Sequence, residues 1–258
     1  MTQIDDRDIV DGKQPGGANT SGSMLLPLLQ TLLASVPQGG RFADYERQSI
    51  DYNVLGRTTY EGRRRSFRAL REMYILDPSR VLFRALRDLW SEDVTGQPLL
   101  AGLVVLARDS SFRATANRVI EARPGEPLSS LDLADAILTA FPSYSRASAD
   151  KIGRNTGASW AQTGHLVGRT DKVRATVTAT PAAVAYAAFL GHVQGLRGQF
   201  VLDSMWMDFL DLPPEGRSDA VREASTRGYL EYRVGGNVVE VGFRHLARAL
   251  PEERNDRS

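Results

Sequence analysis

The stretch Pro98 to Ala107, PLLAGLVVLA, runs for ten residues without a charge. It is about half the length that a bilayer-spanning helix requires. A second apolar stretch, TPAAVAYAAFLG, is also too short and too rich in alanine to span a membrane. Both must therefore be covered by the rest of the chain, and 258 residues suffice for one large domain or two small ones with a proper core. No membrane partner is expected.

Charge narrows the partners. With a net charge of +1, the chain can bind nucleic acid only through local clusters of cations. The absence of cysteine removes disulfides, thiol catalysis and cysteine-based zinc sites, and it fits a reducing cytoplasm. The opening MTQIDDRDIVDGKQPGGANTSGS is acidic and then rich in glycine and serine, without the apolar stretch of a secretory leader. Residues 1–23 read as a disordered tail, and residues 251–258 as another.

Helix signals dominate up to Pro142. MLLPLLQTLL reads as a core helix ended by PQGGR, and FADYERQSIDYNVL as a second. Thr58 or Thr59 caps an arginine-rich helix that runs to about Ile75. Asp77 and Pro78 open the next helix as cap and first residue. QPLLAGLVVLARDSSFRATANRVIEA reads as two more, and SSLDLADAILTAF is capped by Ser129 or Ser130. Beyond residue 145 strands enter. A helix or two capped by Ser145 or Ser148 ends at Gly164, and KVRATVTAT is a short strand with Val173, Ala175 and Val177 on one side. A further helix follows, then one capped by Asp203 or Ser204, then one capped by Ser218 and stopped by Gly228. YLEYRVGGNVVEVGF is a hairpin.

The expected fold is mainly α: a helical bundle in the N-terminal half, then winged helix-turn-helix-like units with short β-hairpins. The divisions are a helical domain over 24–144, a helix-turn-helix-like unit over 145–178 and a winged-helix-like unit over 179–250. In the last, Ser218 to Arg227 is the recognition helix and Gly235–Asn237 the wing. A weak internal echo links the two units, since in each a capped helix ends in glycine, an aromatic or histidine, and leucine, then runs into an extended segment.

Two clusters fit a phosphate backbone. The first holds Arg57, Arg63, Arg64, Arg65, Arg68 and Arg71, with Arg64, Arg68 and Arg71 in a row along one flank of the helix. Tyr60, Phe67, Leu70 and Tyr74 form its buried stripe. The alternative is a solvated face paired with acids such as Asp88, Glu92 or Asp93. The second holds Lys151, Arg154, Arg169, Lys172 and Arg174, interleaved with Asn155, Ser159 and Gln162. Those three polar residues share one helix face and suit base edges, with the cations on phosphates and Trp160 turned into the core. Arg222, Arg227, Arg233 and Arg244 of the C-terminal unit are diluted by Glu215, Asp219, Glu223 and Glu231, so packing or protein contact is an equal reading there. His165, His192 and His245 have no metal-ligand spacing, and no phosphate-cradling loop or nucleophile motif is present. No cofactor, metal or catalysis is expected.

The segments NVLGRTTYEGRRRSFRALREMYILD, LLAGLVVLARDSSFR and SADKIGRNTGASWAQTGHL resemble blocks of the BrxA family of BREX bacteriophage-exclusion loci, over roughly residues 45–190. The extended N-terminal tail and the more complete C-terminal winged unit depart from it. The resemblance implies a non-enzymatic, cytoplasmic, double-stranded DNA-binding component of a phage-defence system, with other proteins of the locus as further partners. An adaptor that assembles defence enzymes, or a transcriptional regulator of the locus, are the other readings.

Overall fold

Two helices form the centre of the molecule, Gln97–Arg108 and Pro181–Val193, and they are the two apolar stretches of the sequence. Every residue from Leu99 to Ala107 is buried, as is every residue from Ala182 to Gly191. A helix apolar all round needs neighbours all round, and the remaining elements supply them. The computed structural model describes residues 8–236 and 238–248. Among these, no helix is long and apolar enough to cross a membrane.

In chain order, α1 (Leu26–Ser35), α2 (Phe42–Ile50), α3 (Tyr60–Tyr74) and α4 (Val81–Trp90) come first. Thr59 caps α3 by accepting from the Gly62 amide at 3.0 Å. The expected start of α4 at Pro78 is too early. Asp77 instead accepts from the Ser79 amide in a turn, and the helix begins at Val81. Burial reaches even the charged residues of α4. Arg87 donates to the Leu33 carbonyl at 2.9 Å and also to that of Val36, satisfying the open end of α1.

The central α5 (Gln97–Arg108) leads into α6 (Ser110–Ala114) through Asp109, whose carboxylate accepts from the Phe112 amide at 2.8 Å. Next come α7 (Ala116–Ile120), α8 (Ser130–Ala140) and α9 (Arg146–Gln162), then the antiparallel hairpin of β1 (Leu166–Val167) and β2 (Val173–Arg174). The second central helix, α10 (Pro181–Val193), is followed by α11 (Gln199–Leu202), α12 (Met205–Asp208) and α13 (Pro214–Thr226). A second antiparallel hairpin closes the described chain, β3 (Glu231–Gly235) with β4 (Val238–Gly242), in the register Gly235↔Val238. The chain is thus mainly helical with two small two-stranded sheets.

Three features correct the sequence reading. First, the segment expected to be a disordered tail is packed from Asp8 onward; residues 1–7 lie outside the described residues, as do Asn237 and residues 249–258. Asp8 is buried and takes two hydrogen bonds from Arg80, at 2.5 and 3.0 Å. The Val10 amide donates to the Ala107 carbonyl at 2.9 Å, and Asn19 lies in a 3-10 turn, fully buried. Residues 8–24 are a strap. Second, α8 and α9 pack on each other across the boundary expected at residue 144, around a small cluster of Ala134, Ile137, Phe141, Ala149 and Ile152, beside the larger apolar core that runs from Ala18 to Leu246. Third, Ser218, expected as a cap, lies inside α13, which already begins at Pro214.

Candidate nucleic-acid interface

The best-defined candidate surface is built on α9. Ser145 caps it, accepting from the Ser148 amide at 3.2 Å. Ala149, Ile152, Gly153, Thr156, Gly157 and Trp160 form its buried face. A Cβ at Gly153 would fall on the Ser130 carbonyl oxygen, so only glycine lets α8 and α9 approach this closely. At the far end Trp160 is fully buried, stacked on Phe112 with centroids 4.3 Å apart and donating to Thr115 Oγ1 at 2.8 Å. Gly164 then ends the helix at φ +89°, a conformation that costs glycine little.

His165 follows, wholly buried between Thr163 Oγ1 and the Phe209 carbonyl, 2.8 and 2.7 Å from its two ring nitrogens. Burial pushes its pKa down to about 4. The chain then enters the first hairpin. Beside β2 lies a third extended segment: Pro127 bridges antiparallel to Val173, and the Leu128 amide donates to the Lys172 carbonyl at 2.8 Å. The order is therefore extended segment, helix, helix, hairpin.

What α9 and the hairpin show to solvent is mostly cationic, with Asp171 an exposed acid at the hairpin tip and Asp150 paired with Arg146. Lys151 and Arg154, three apart and so on one face, are exposed, and neither has an ion-pair partner among the described residues. Ala147 is exposed beside them, and a small side chain there leaves the helix surface open to close approach. Arg169 is exposed on the hairpin tip, and half-buried Lys172 donates to its carbonyl at 2.8 Å.

The polar face expected to meet base edges goes elsewhere. Asn155 Nδ2 donates to the Asn19 carbonyl at 2.8 Å. Ser159, fully buried, donates to Asn19 Oδ1 at 2.6 Å and accepts from the Met24 amide at 2.9 Å. Gln162 Oε1 accepts from the Leu26 amide at 2.7 Å. These three residues hold the strap. Asp109 completes the network by accepting from the Asn19 backbone and side-chain nitrogens at 2.7 and 3.0 Å, while burial raises its own pKa. Arg174 is also reassigned. It is buried, with Nε on the Val119 carbonyl at 2.7 Å and Nη2 on Asp211, and so is a tie between β2 and the segment after α12.

The arginine helix divides in the same way. Arg57 donates to Ser66 Oγ at 2.8 Å and Arg63 to the Ile50 carbonyl at 3.1 Å, so both brace the α2–α3 connection. Arg64, Arg65, Arg68 and Arg71 are exposed. Arg64 is 3.5 Å from Glu61, and the Arg71 guanidinium lies 5.0 Å from the centre of the Phe42 ring. Arg65 and Arg68 have no partner among the described residues. Of the acids expected to pair with them, Asp88 of α4 is held by Arg248 at 2.9 Å and Asp93 by Thr95 and the Gly96 amide, while Glu92 is exposed and makes no ion pair among the described residues. Phe67, Leu70 and Tyr74 are buried as the spacing predicts, but Tyr60 is not; it stands at the first residue of α3, beyond the edge of the core.

In the C-terminal segment α13 leads into the β3–β4 hairpin, and the charges it shows are mixed. Arg217 of α13 is buried, donating to the Leu202 carbonyl at 2.9 Å and to Asp208 at 2.6 Å. Arg222 pairs with Asp219, and Glu215 and Glu223 are exposed beside them. Among the described residues no group of three or more histidine, aspartate or glutamate side chains could hold a metal ion. In comparisons with known proteins, no family model matches the chain and no curated protein matches it.

Proposed function

We propose that the chain binds double-stranded DNA, with α8, α9 and the β1–β2 hairpin acting as a winged helix-turn-helix. One observation carries the reading: the extended segment at Pro127 lies against β2, in the order of such a unit, and the exposed face of its second helix bears Lys151 and Arg154, without an ion-pair partner among the described residues. In this arrangement α9 enters the major groove, while Arg169 and Lys172 on the hairpin tip meet the flanking phosphates. Arg65 and Arg68 on α3 add contacts to backbone further along. Binding and positioning are the whole activity; chemistry on the DNA is left to other proteins. A place in a cytoplasmic phage-exclusion system rests on the sequence resemblance alone.

Duplex affinity measured across a salt series tests this. Replacing Lys151 and Arg154 together by alanine should lower the slope of log affinity against log salt by about two units, roughly one per lost phosphate contact. Replacing Arg222 and Arg227 should leave it unchanged. An unaltered slope for the first pair would refute the assignment. For the C-terminal unit the acids interspersed along α13 favour protein contact, the adaptor reading, which predicts that Arg222→Ala alters partner capture and not DNA affinity.

A further inference from the structure

Two large aromatic side chains stand in solvent at one end of the arginine helix. Tyr52, just after α2, is 66% exposed, and Tyr60, the first residue of α3, is 59% exposed. The connection that carries them is braced from both sides. Arg63 holds the Ile50 carbonyl, Arg57 holds Ser66, and Asn53 Oδ1 accepts from the Arg57 amide at 2.8 Å. The tyrosines thus sit on a fixed backbone beside a helix whose outer row is arginine. The Arg64 guanidinium lies 5.9 Å from the centre of the Tyr60 ring, leaving the rest of that ring open to solvent.

A phosphate-binding row alone has no use for exposed rings, because in a closed duplex the base faces are stacked on one another. Rings beside arginines suit a strand whose bases are free, which can stack on the aromatic face while its phosphates meet the cations. We infer that Tyr52 and Tyr60, with Arg64, Arg65 and Arg68, form a second nucleic-acid surface that takes unpaired bases, at a strand end or an opened stretch next to the duplex held by α9. The proposal rests on the duplex-binding reading only for its place beside the duplex: Arg65 and Arg68 serve both, while Tyr52 and Tyr60 belong to this surface alone and have their own readout. A protein partner could also use tyrosine and arginine at its centre, and the test separates that case.

The experiment compares three probes with the intact protein: a blunt duplex, the same duplex carrying a short oligothymidine tail, and the oligothymidine alone. The tail should raise affinity about 10-fold, toward the lower end of what stacking one base on an aromatic ring contributes. The double variant Tyr52→Ala/Tyr60→Ala should lose that gain and bind blunt duplex as before, and Tyr52→Phe/Tyr60→Phe should keep it. Both positions are exposed, so far-ultraviolet circular dichroism should not change. Equal binding of tailed and blunt duplex by the unaltered protein overturns the proposal, as does a tail gain that survives in the alanine variant; either result leaves the surface to a protein. If blunt duplex is not bound while oligothymidine is held through the tyrosines, the duplex reading fails and this surface stands.

Discussion

Helices α9 and α13 end alike. Each stops at a glycine with positive φ, Gly164 at +89° and Gly228 at +81°, and each then runs through a ring-bearing residue and a leucine into a two-stranded hairpin. Their outer faces differ. Between Arg146 and Gln162 the sequence has three cations and one acid, and Lys151 and Arg154 have no ion-pair partner among the described residues. Between Pro214 and Thr226 it has two cations and three acids, with one of those cations, Arg217, buried. The common framework is set by buried residues and helix stops. What each segment shows to solvent is set by a few exposed positions that the framework does not constrain.

The two segments are joined by Arg174, which sits on β2 and reaches Asp211 ahead of α13. Arg174→Ala should therefore have the largest effect on stability, a loss of about 3–5 kcal/mol in urea unfolding, because Asp211 is left without its buried counterion. Arg217→Ala should cost less, since Asp208, its partner, is 45% exposed and can be solvated. Equal losses would mean that the units are not held together through Arg174.

The histidines sharpen the contrast. Folded His165 takes up a proton only near pH 4, against an ordinary 6.5, because burial opposes the charge. As pH falls the unfolded chain is protonated first, so this contribution is complete above about pH 6.5 and is lost on descent to about 4, roughly 3 kcal/mol in all. His165→Gln should flatten the pH dependence of urea unfolding over that window. His192 of α10 is also lowered, by burial and then by Arg197, but it is only half-buried, so His192→Gln should change the profile less. A larger change from His192 would reverse the comparison.

The smallest effect expected is at the helix starts. Ser145 is a true cap and Ser145→Ala should cost about 1 kcal/mol. Ser218 lies within α13 with four helical residues before it, and Ser218→Ala should stay within about 0.5 kcal/mol. Thermal melting of the two variants side by side would show whether the units differ at their starts as they do on their faces.

What could be read in advance was local. Thr59, Ser129 and Ser145 announce helix starts because a cap acts over three residues, and the two apolar stretches announce the core because burial is their only option. The spacing of Asn155, Ser159 and Gln162 correctly places them on one face. Where that face points depends on Asn19, which lies 136 positions from Asn155 and sits in a glycine- and serine-rich segment with no period to betray it. Arg174 is similar. Alternation put its neighbours Val173 and Ala175 inward, and the Asp211 carboxylate with the Val119 carbonyl explains why Arg174 itself is inside. Tyr52 and Tyr60 offered no signal of exposure, because an aromatic at the edge of a helix is usually core.

The strap has a consequence for how the chain is made. Asn19 leaves the ribosome 140 residues before Ser159, the side chain that holds it. At a synthesis rate of about 5–20 residues per second, roughly ten seconds or more separate the two. During that interval the Met24 and Leu26 amides lack the Ser159 and Gln162 side chains that later accept from them, and nascent chains halted before α9 should leave the strap open to proteolysis that the finished protein resists. The strap is made well before the helix that fastens it down.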